Sequence, residues 1–216
     1  MKMLHTLSLL LALLSLTFHA STLADLCAAD LQSPNTPSGY PCKPLNTTTV
    51  EDFTYTGLQS GPFLPPYGVS DTQVSVSQML GLNGQGLSVA RLDILGGGVV
   101  PLHTHPNAAE MIIVVKGTMT AGFITQTSLA TSTVYMKTLK EGDVMVFPQG
   151  LTHFQFNPGK EVSTAYASYS SSKPDLQLST VVSFGNNLPP PVVSKVTYIT
   201  ISEVLRLKVL FGGTLA

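Results

Sequence analysis

The sequence predicts an all-β chain of one domain, an antiparallel sandwich or barrel, with a disulfide-stapled N-terminal arm and a short C-terminal helix. Gly 18 and Pro 15 in 216 residues interrupt the chain too often for a helical bundle. Only 11% of residues are charged, against about 25% in an average soluble domain. From Leu87 onward, β-favouring runs recur between turn signals at 87–94, 111–115, 119–124, 133–139, 144–147, 153–156, 162–169 and 176–184. Eight short runs at this spacing suit two facing antiparallel sheets. The length supports one good core and is short for two, and no fixed-period repeat divides it.

The elements follow in chain order. Lys2 precedes an apolar run from Leu4 to Phe18, shorter than the ~20 apolar residues of a spanning helix. Thr22-Leu23-Ala24 then offers the small residues that a signal peptidase reads, so 1–24 is expected to be a signal peptide cleaved after Ala24. Cleavage removes Lys2 and no acid, moving the formal charge from -1 to -2, and it removes His5 and His19. Residues 25–60 form an irregular arm holding the only cysteines, Cys27 and Cys42. In an oxidising compartment these most simply make one intrachain disulfide, the alternative being free or intermolecular thiols. Asn46-Thr47-Thr48, just beyond, is a candidate N-glycosylation sequon.

Reversals are marked by Gly96-Gly97-Gly98, Pro106-Asn107, Pro148-Gln149-Gly150 and Asn157-Pro158-Gly159. After Pro189-Pro190-Pro191 the texture changes. Ser202 to Phe211 has an N-cap, apolar residues at Val204, Leu207 and Phe211, and a Gly212-Gly213 stop, which predicts a helix. With Lys+Arg 11 against Asp+Glu 12 there is no basic surplus for nucleic acid or for a membrane surface.

The chemistry lies in the three remaining histidines. His103 and His105 are one residue apart in extended sequence, which places both imidazoles on one face. Glu110 begins the next apolar run beyond a turn, and His153 opens a later strand, so both can return to the same place. Three neutral imidazoles and one carboxylate around a divalent ion leave a net charge of about +1, with open positions for a small anion if the ion is six-coordinate. Each residue taken alone has an ordinary structural reading. Their joint placement beside turns and β runs is what points to a metal.

These residues also carry a family resemblance. Gly97, five residues, His103-Thr104-His105, four residues, Glu110, six residues and Gly117 resemble the first cupin motif. Gly142, five residues, Pro148-Gln149-Gly150, two residues, His153, three residues and Asn157 resemble the second, about two dozen residues further on. Asp25-Leu26-Cys27-Ala28-Ala29-Asp30 and Pro37-Ser38-Gly39-Tyr40-Pro41-Cys42-Lys43 are similar to the N-terminal signature of plant germins and germin-like proteins.

The resemblance implies a jelly-roll cupin barrel over 61–190 and a C-terminal helical segment over 191–216 that can clasp neighbours in a hexamer, a trimer of dimers. It implies manganese on His103, His105, Glu110 and His153, and secretion to the apoplast or cell wall. Oxalate-oxidising members are expected to hold substrate with two asparagines, at the positions of Ala90 and Val100 here, so oxalate oxidation is disfavoured. Superoxide dismutation is the leading expectation and auxin binding the alternative. A storage cupin without chemistry is a third reading, which the intact ligand set argues against.

Smaller features have plain readings. Lys140-Glu141-Gly142-Asp143 reads as a turn, Asn157 as a support for the Pro158-Gly159 turn, and Met111, Met119 and Met145 as barrel-lining residues. Arg91 needs a partner that the sequence does not name.

Overall fold

A computed structural model describes residues 26–215; the expected signal segment 1–24 and Asp25 of the N-terminal signature lie outside it. Ten strands form two antiparallel five-stranded sheets that face each other as a jelly roll. The strands are β1 (Val69–Val74), β2 (Ser88–Ile94), β3 (Val99–Thr104), β4 (Glu110–Lys116), β5 (Thr118–Gln126), β6 (Ser132–Lys140), β7 (Val144–Phe147), β8 (Thr152–Phe156), β9 (Ser163–Tyr169) and β10 (Gln177–Leu178). One sheet runs β1-β2-β9-β4-β7 and the other β10-β3-β8-β5-β6. Helices α1 (Ser179–Phe184), α2 (Pro190–Thr197) and α3 (Ile201–Phe211) follow.

The two-residue period of a strand fills the space between the sheets. On β4, Glu110, Ile112 and Val114 are buried while Met111 and Ile113 face outward. Ala90, Leu92 and Ile94 of β2, Ala165 and Ala167 of β9, and Phe147 of β7 complete the core around Met119 and Ala121 of β5. Met145 packs at its edge, but Met111 is 49% exposed, because one-residue alternation from buried Glu110 turns it to the outer face. The expectation that all three methionines line the barrel is corrected at Met111.

The motif glycines Gly97, Gly117, Gly142 and Gly150 all have φ between +74° and +87°, so the turns at the barrel ends need residues without a Cβ. Lys140 to Asp143 is the expected turn, closed by Asp143 N–H donating to the Lys140 carbonyl at 2.9 Å. Asn157 holds its own turn. Its Nδ2 donates to the carbonyls of Ile94 at 2.8 Å and Glu161 at 2.7 Å, and its Oδ1 accepts from Gly159 N–H at 2.9 Å. Arg91 finds its partner two residues along β2, bidentate to Asp93 at 2.7 and 3.0 Å, and Asp93 also accepts from Thr164 Oγ1 at 2.6 Å.

The run 176–184 is only briefly a strand. Gln177 and Leu178 pair with Thr104 and His103 of β3, and the chain then enters α1. The β-branched composition of 179–184 is overridden by packing, since Phe184 is buried in a separate cluster with Val193 of α2 and Val204 of α3. Pro190 and Pro191 start α2 at the positions where a missing N–H costs nothing. The N-cap of α3 is Thr200, not Ser202. Lys208 of α3 is fully buried and donates to the Asn186 carbonyl at 2.8 Å.

The Cys27–Cys42 disulfide is formed, with Cα atoms 4.9 Å apart. It closes an arm whose backbone is paired by Asp30 N–H to the Pro41 carbonyl and Lys43 N–H to the Ala28 carbonyl, both at 2.8 Å. Ala29 sits in a small core with Val76 and Leu82. Closing a loop of this size restricts the unfolded chain by about 3 kcal/mol in the chain-entropy model. Cys27→Ala/Cys42→Ala is expected to lower unfolding free energy by about that amount in denaturant titration; an unchanged midpoint would show that the arm does not contribute to global stability.

Candidate metal centre

The pairing of β3 with β8 places His103 directly opposite His153. Between Val100 and His103 the register shifts at a bulge containing Pro101, a residue tolerated where the ladder is interrupted. His105 follows the end of β3, and its carbonyl is held by Gly150 N–H at 3.1 Å. Glu110 opens β4 in the facing sheet, opposite Tyr169 of β9 and Phe147 of β7. Residues 50 positions apart in sequence thus meet inside the barrel. One ligand atom from each of His103, His105, Glu110 and His153 lies within 4.8 Å of all the others, and all four residues are buried.

Each ring is oriented by a backbone carbonyl. His103 Nδ1 lies 2.8 Å from the Pro101 carbonyl, His153 Nδ1 2.8 Å from the Leu151 carbonyl, and His105 Nδ1 bonds the Asp175 carbonyl. A carbonyl only accepts, so each Nδ1 carries a proton and each Nε2 turns inward; in the absence of a cation, His153 Nε2 donates to Glu110 Oε2 at 2.9 Å. Phe147 stacks on His153 at 4.5 Å, and Tyr169 meets His105 edge-on at 4.8 Å, which restricts ring rotation.

The inward atoms need a positive charge between them. Glu110 Oε2 is 2.9 Å from His153 Nε2, 3.1 Å from His105 Nε2 and 4.0 Å from His103 Nε2. His105 Nε2 is nevertheless buried without an aligned hydrogen bond; the 3.1 Å contact acts through charge. Burial opposes ionisation of Glu110, but His105 and His153 outweigh it and hold the carboxyl down to about 2. Burial, and then the neighbouring charge of His153, push His103 down to about 4. Burial also opposes a charged His105, yet Glu110 and the Asp175 carbonyl raise it. A carboxylate with three inward imidazole nitrogens, one of them orphaned, fits a divalent cation. The carbonyls behind the rings are the outer support such sites require.

The site also contains residues that sequence reasoning did not single out. Gln155, two residues beyond His153 on the same face of β8, is fully buried and donates to Glu110 Oε1 at 3.4 Å. Tyr169 is held protonated by burial and by the negative charges of Glu110 and Asp71. The two-residue period flags Gln155 once His153 is placed, whereas Tyr169 and Asp71 become visible only through cross-strand pairing.

A family profile described as Cupin matches residues 58–205. Germin-like protein subfamily 3 member 3 of Arabidopsis thaliana is 43% identical over 99% of this chain and 100% of its own length. Auxin-binding protein ABP19a of Prunus persica is 43% identical over 91% of this chain and 92% of its own. Among solved structures, recombinant oxalate oxidase in complex with glycolate superposes with a TM-score of 0.82 at 30% identity, covering 88% of this chain and 96% of that one. Two complete histidine motifs on a jelly roll, matched over nearly the full length, place this chain in the cupin family, among the germin-like proteins.

Proposed function

We propose that this chain is a secreted, manganese-binding germin-like protein of the plant cell wall or apoplast that converts superoxide to dioxygen and hydrogen peroxide. The observation that carries the reading is the convergence of His103, His105, Glu110 and His153 with every Nδ1 committed to a carbonyl. Manganese held there would supply one-electron redox chemistry. The residues supply the rest. Three neutral imidazoles and one carboxylate leave the centre near +1, which draws a small monoanion inward. Across a cycle one superoxide loses an electron to form dioxygen, and a second gains it and takes two solvent protons to form hydrogen peroxide.

Oxalate is the poorer substrate. Ala90 and Val100, where asparagines are expected in oxalate-oxidising members, are buried and offer no side-chain donor. Each missing partner to a carboxylate costs roughly 1–3 kcal/mol. A mostly apolar cavity lined by Val100 and by Pro101, whose carbonyl holds the His103 ring, and the name of the Prunus relative favour a second reading, binding of an auxin through its carboxylate without turnover.

The leader at 1–24 and the disulfide support export, and Asn46 lies exposed in its turn as a glycan acceptor. No helix among the described residues is long and apolar enough to cross a membrane. Ile201, Val209 and Leu210 on α3 are 48%, 67% and 59% exposed, an apolar surface that suits clasping in a hexamer. Light scattering on the native protein is expected to give a hexameric mass, and a monomeric mass would remove that part of the proposal.

Elemental analysis of native protein should find about one manganese per chain, and the same sample should dismute superoxide and leave oxalate unchanged. His105→Ala is expected to lower metal content and superoxide turnover together, by on the order of tenfold or more; equal rates in the two proteins would overturn the assignment. Chelation should also lower stability. With free metal at about 100 times its Kd the loss is about 2.7 kcal/mol, read as a fall in Tm of roughly 5 to 10 °C for a domain of this size.

A further inference from the structure

His105 is held differently from the other two rings. His103 and His153 each give the Nδ1 proton to a carbonyl two residues earlier, of Pro101 and of Leu151, so local backbone shape orients them. His105 lies just past the end of β3, and its acceptor, the Asp175 carbonyl, is 70 residues away in the connection from β9 to β10. Its orientation is only as firm as that connection.

The turn that carries His105 also holds the connection in place. Asn107 Nδ2 donates to the Lys173 carbonyl at 2.8 Å and to Asp175 Oδ2 at 3.3 Å. Residues 105 and 107 therefore meet 175 and 173 in antiparallel order, and the turn grips the connection at two points. A single contact leaves a pivot; two contacts remove it. The turn itself is anchored to the barrel end, because the His105 carbonyl accepts from Gly150 N–H at 3.1 Å and Ser170 N–H reaches the Ala109 carbonyl at 3.0 Å.

Asp175 depends on this grip. Its φ of +47° lies in the left-handed region that residues with a Cβ rarely adopt, and such a conformation persists only where the surroundings over-determine it. Lys173 Nζ comes no closer than 3.9 Å to Asp175 Oδ1, with both side chains more than half exposed. A pair of that kind contributes little. Among the described residues, only His105 and Asn107 donate side-chain hydrogen bonds to 173–175.

We infer that Asn107 is a positioning residue: through the 173–175 connection it fixes the acceptor of the His105 Nδ1 proton, and so sets how tightly the centre holds its cation. This rests on the metal-centre reading above. With the grip lost, the Asp175 carbonyl no longer has a fixed place, the His105 ring gains freedom, and one of the four ligand atoms is presented less of the time. His103 and His153 keep their own carbonyls.

The test is Asn107→Asp, which keeps the size and turn preference of asparagine and removes both of its side-chain N–H donors. The added negative charge would by itself favour a cation, so a weaker hold cannot be assigned to charge. Affinity for manganese(II), measured by chelator competition, is expected to fall about fivefold, the worth of one ordinary hydrogen bond. Lys173→Ala leaves the accepting backbone carbonyl in place and should bind as wild type does. Unchanged affinity in Asn107→Asp, or an equal loss in Lys173→Ala, would overturn the proposal.

Magnetic resonance of the metal-free protein, with isotope-labelled histidine, supplies a reading that needs no metal. From residue 25 onward the chain has only three imidazoles, so each ring is its neighbours' control. In Asn107→Asp the His105 Nδ1 proton should exchange with solvent about fivefold faster, with those of His103 and His153 unchanged. No change at His105 would overturn the role, and so would equal acceleration at all three rings, which marks general loosening. If wild type takes up no manganese, the centre itself fails, and the exchange rates still decide Asn107.

Discussion

The Nε2 atoms of His103, His105 and His153 converge on the Glu110 carboxylate, and the barrel around them holds that crowding in place. Rotation of any one ring would undo it. Three carbonyls, of Pro101, Leu151 and Asp175, prevent this by engaging each Nδ1. Two of them lie two residues before the ring they orient, so local backbone shape suffices there. The third comes from the segment after β9, 70 residues from His105, so the fold must close before that ring is fixed. A proton can supply the missing positive charge, as the raised His105 indicates, but a divalent cation satisfies all four atoms together.

Scarcity of charge elsewhere follows from the same economy of burial. An unpaired ion inside the barrel would cost several kcal/mol. Arg91 is matched, forking onto Asp93, which Thr164 also contacts, whereas buried Lys208 donates to the neutral Asn186 carbonyl within the helical cluster. Asp71 differs in that burial first, and then the charge of Glu110, raise its carboxyl to about 6 while no cation pairs it among the described residues.

Much of the site was legible because its ligands lie at strand ends, where turn residues punctuate the sequence. A His-x-His pair in extended backbone needs only the two-residue period, and the turns at Pro106-Asn107 and Pro148-Gln149-Gly150 return Glu110 and His153. Strand β1 was not legible. Its sequence Val-Ser-Asp-Thr-Gln-Val carries polar residues on the inner face, so alternation gives no apolar stripe. The segment 179–184 misled in the opposite way, because its valines favour a strand and burial of Phe184 decides for a helix. Tyr169 and Asp71 escaped because their importance depends on which strands become neighbours, a property of the whole sheet order.

Ligand choice in such a barrel cannot reside in the four ligands alone, since the same set is compatible with dismutation, oxalate oxidation and carboxylate binding. It must lie in what the walls present to an arriving molecule. Here Ala90 and Val100 offer no side-chain donor to a dicarboxylate, and Val100 faces a cavity of about 150 Å³ whose walls are mostly apolar. The polar groups near the centre come from other strands: Gln155 of β8, Tyr169 of β9 and Asp71 of β1. A spherical monoanion such as superoxide feels mainly the net charge, whereas an extended carboxylate must also match the walls. Dismutation therefore depends mainly on the ligand set and its charge, whereas carboxylate binding depends also on the walls that β1, β2 and β3 build, and β1 is the strand that sequence patterning conceals.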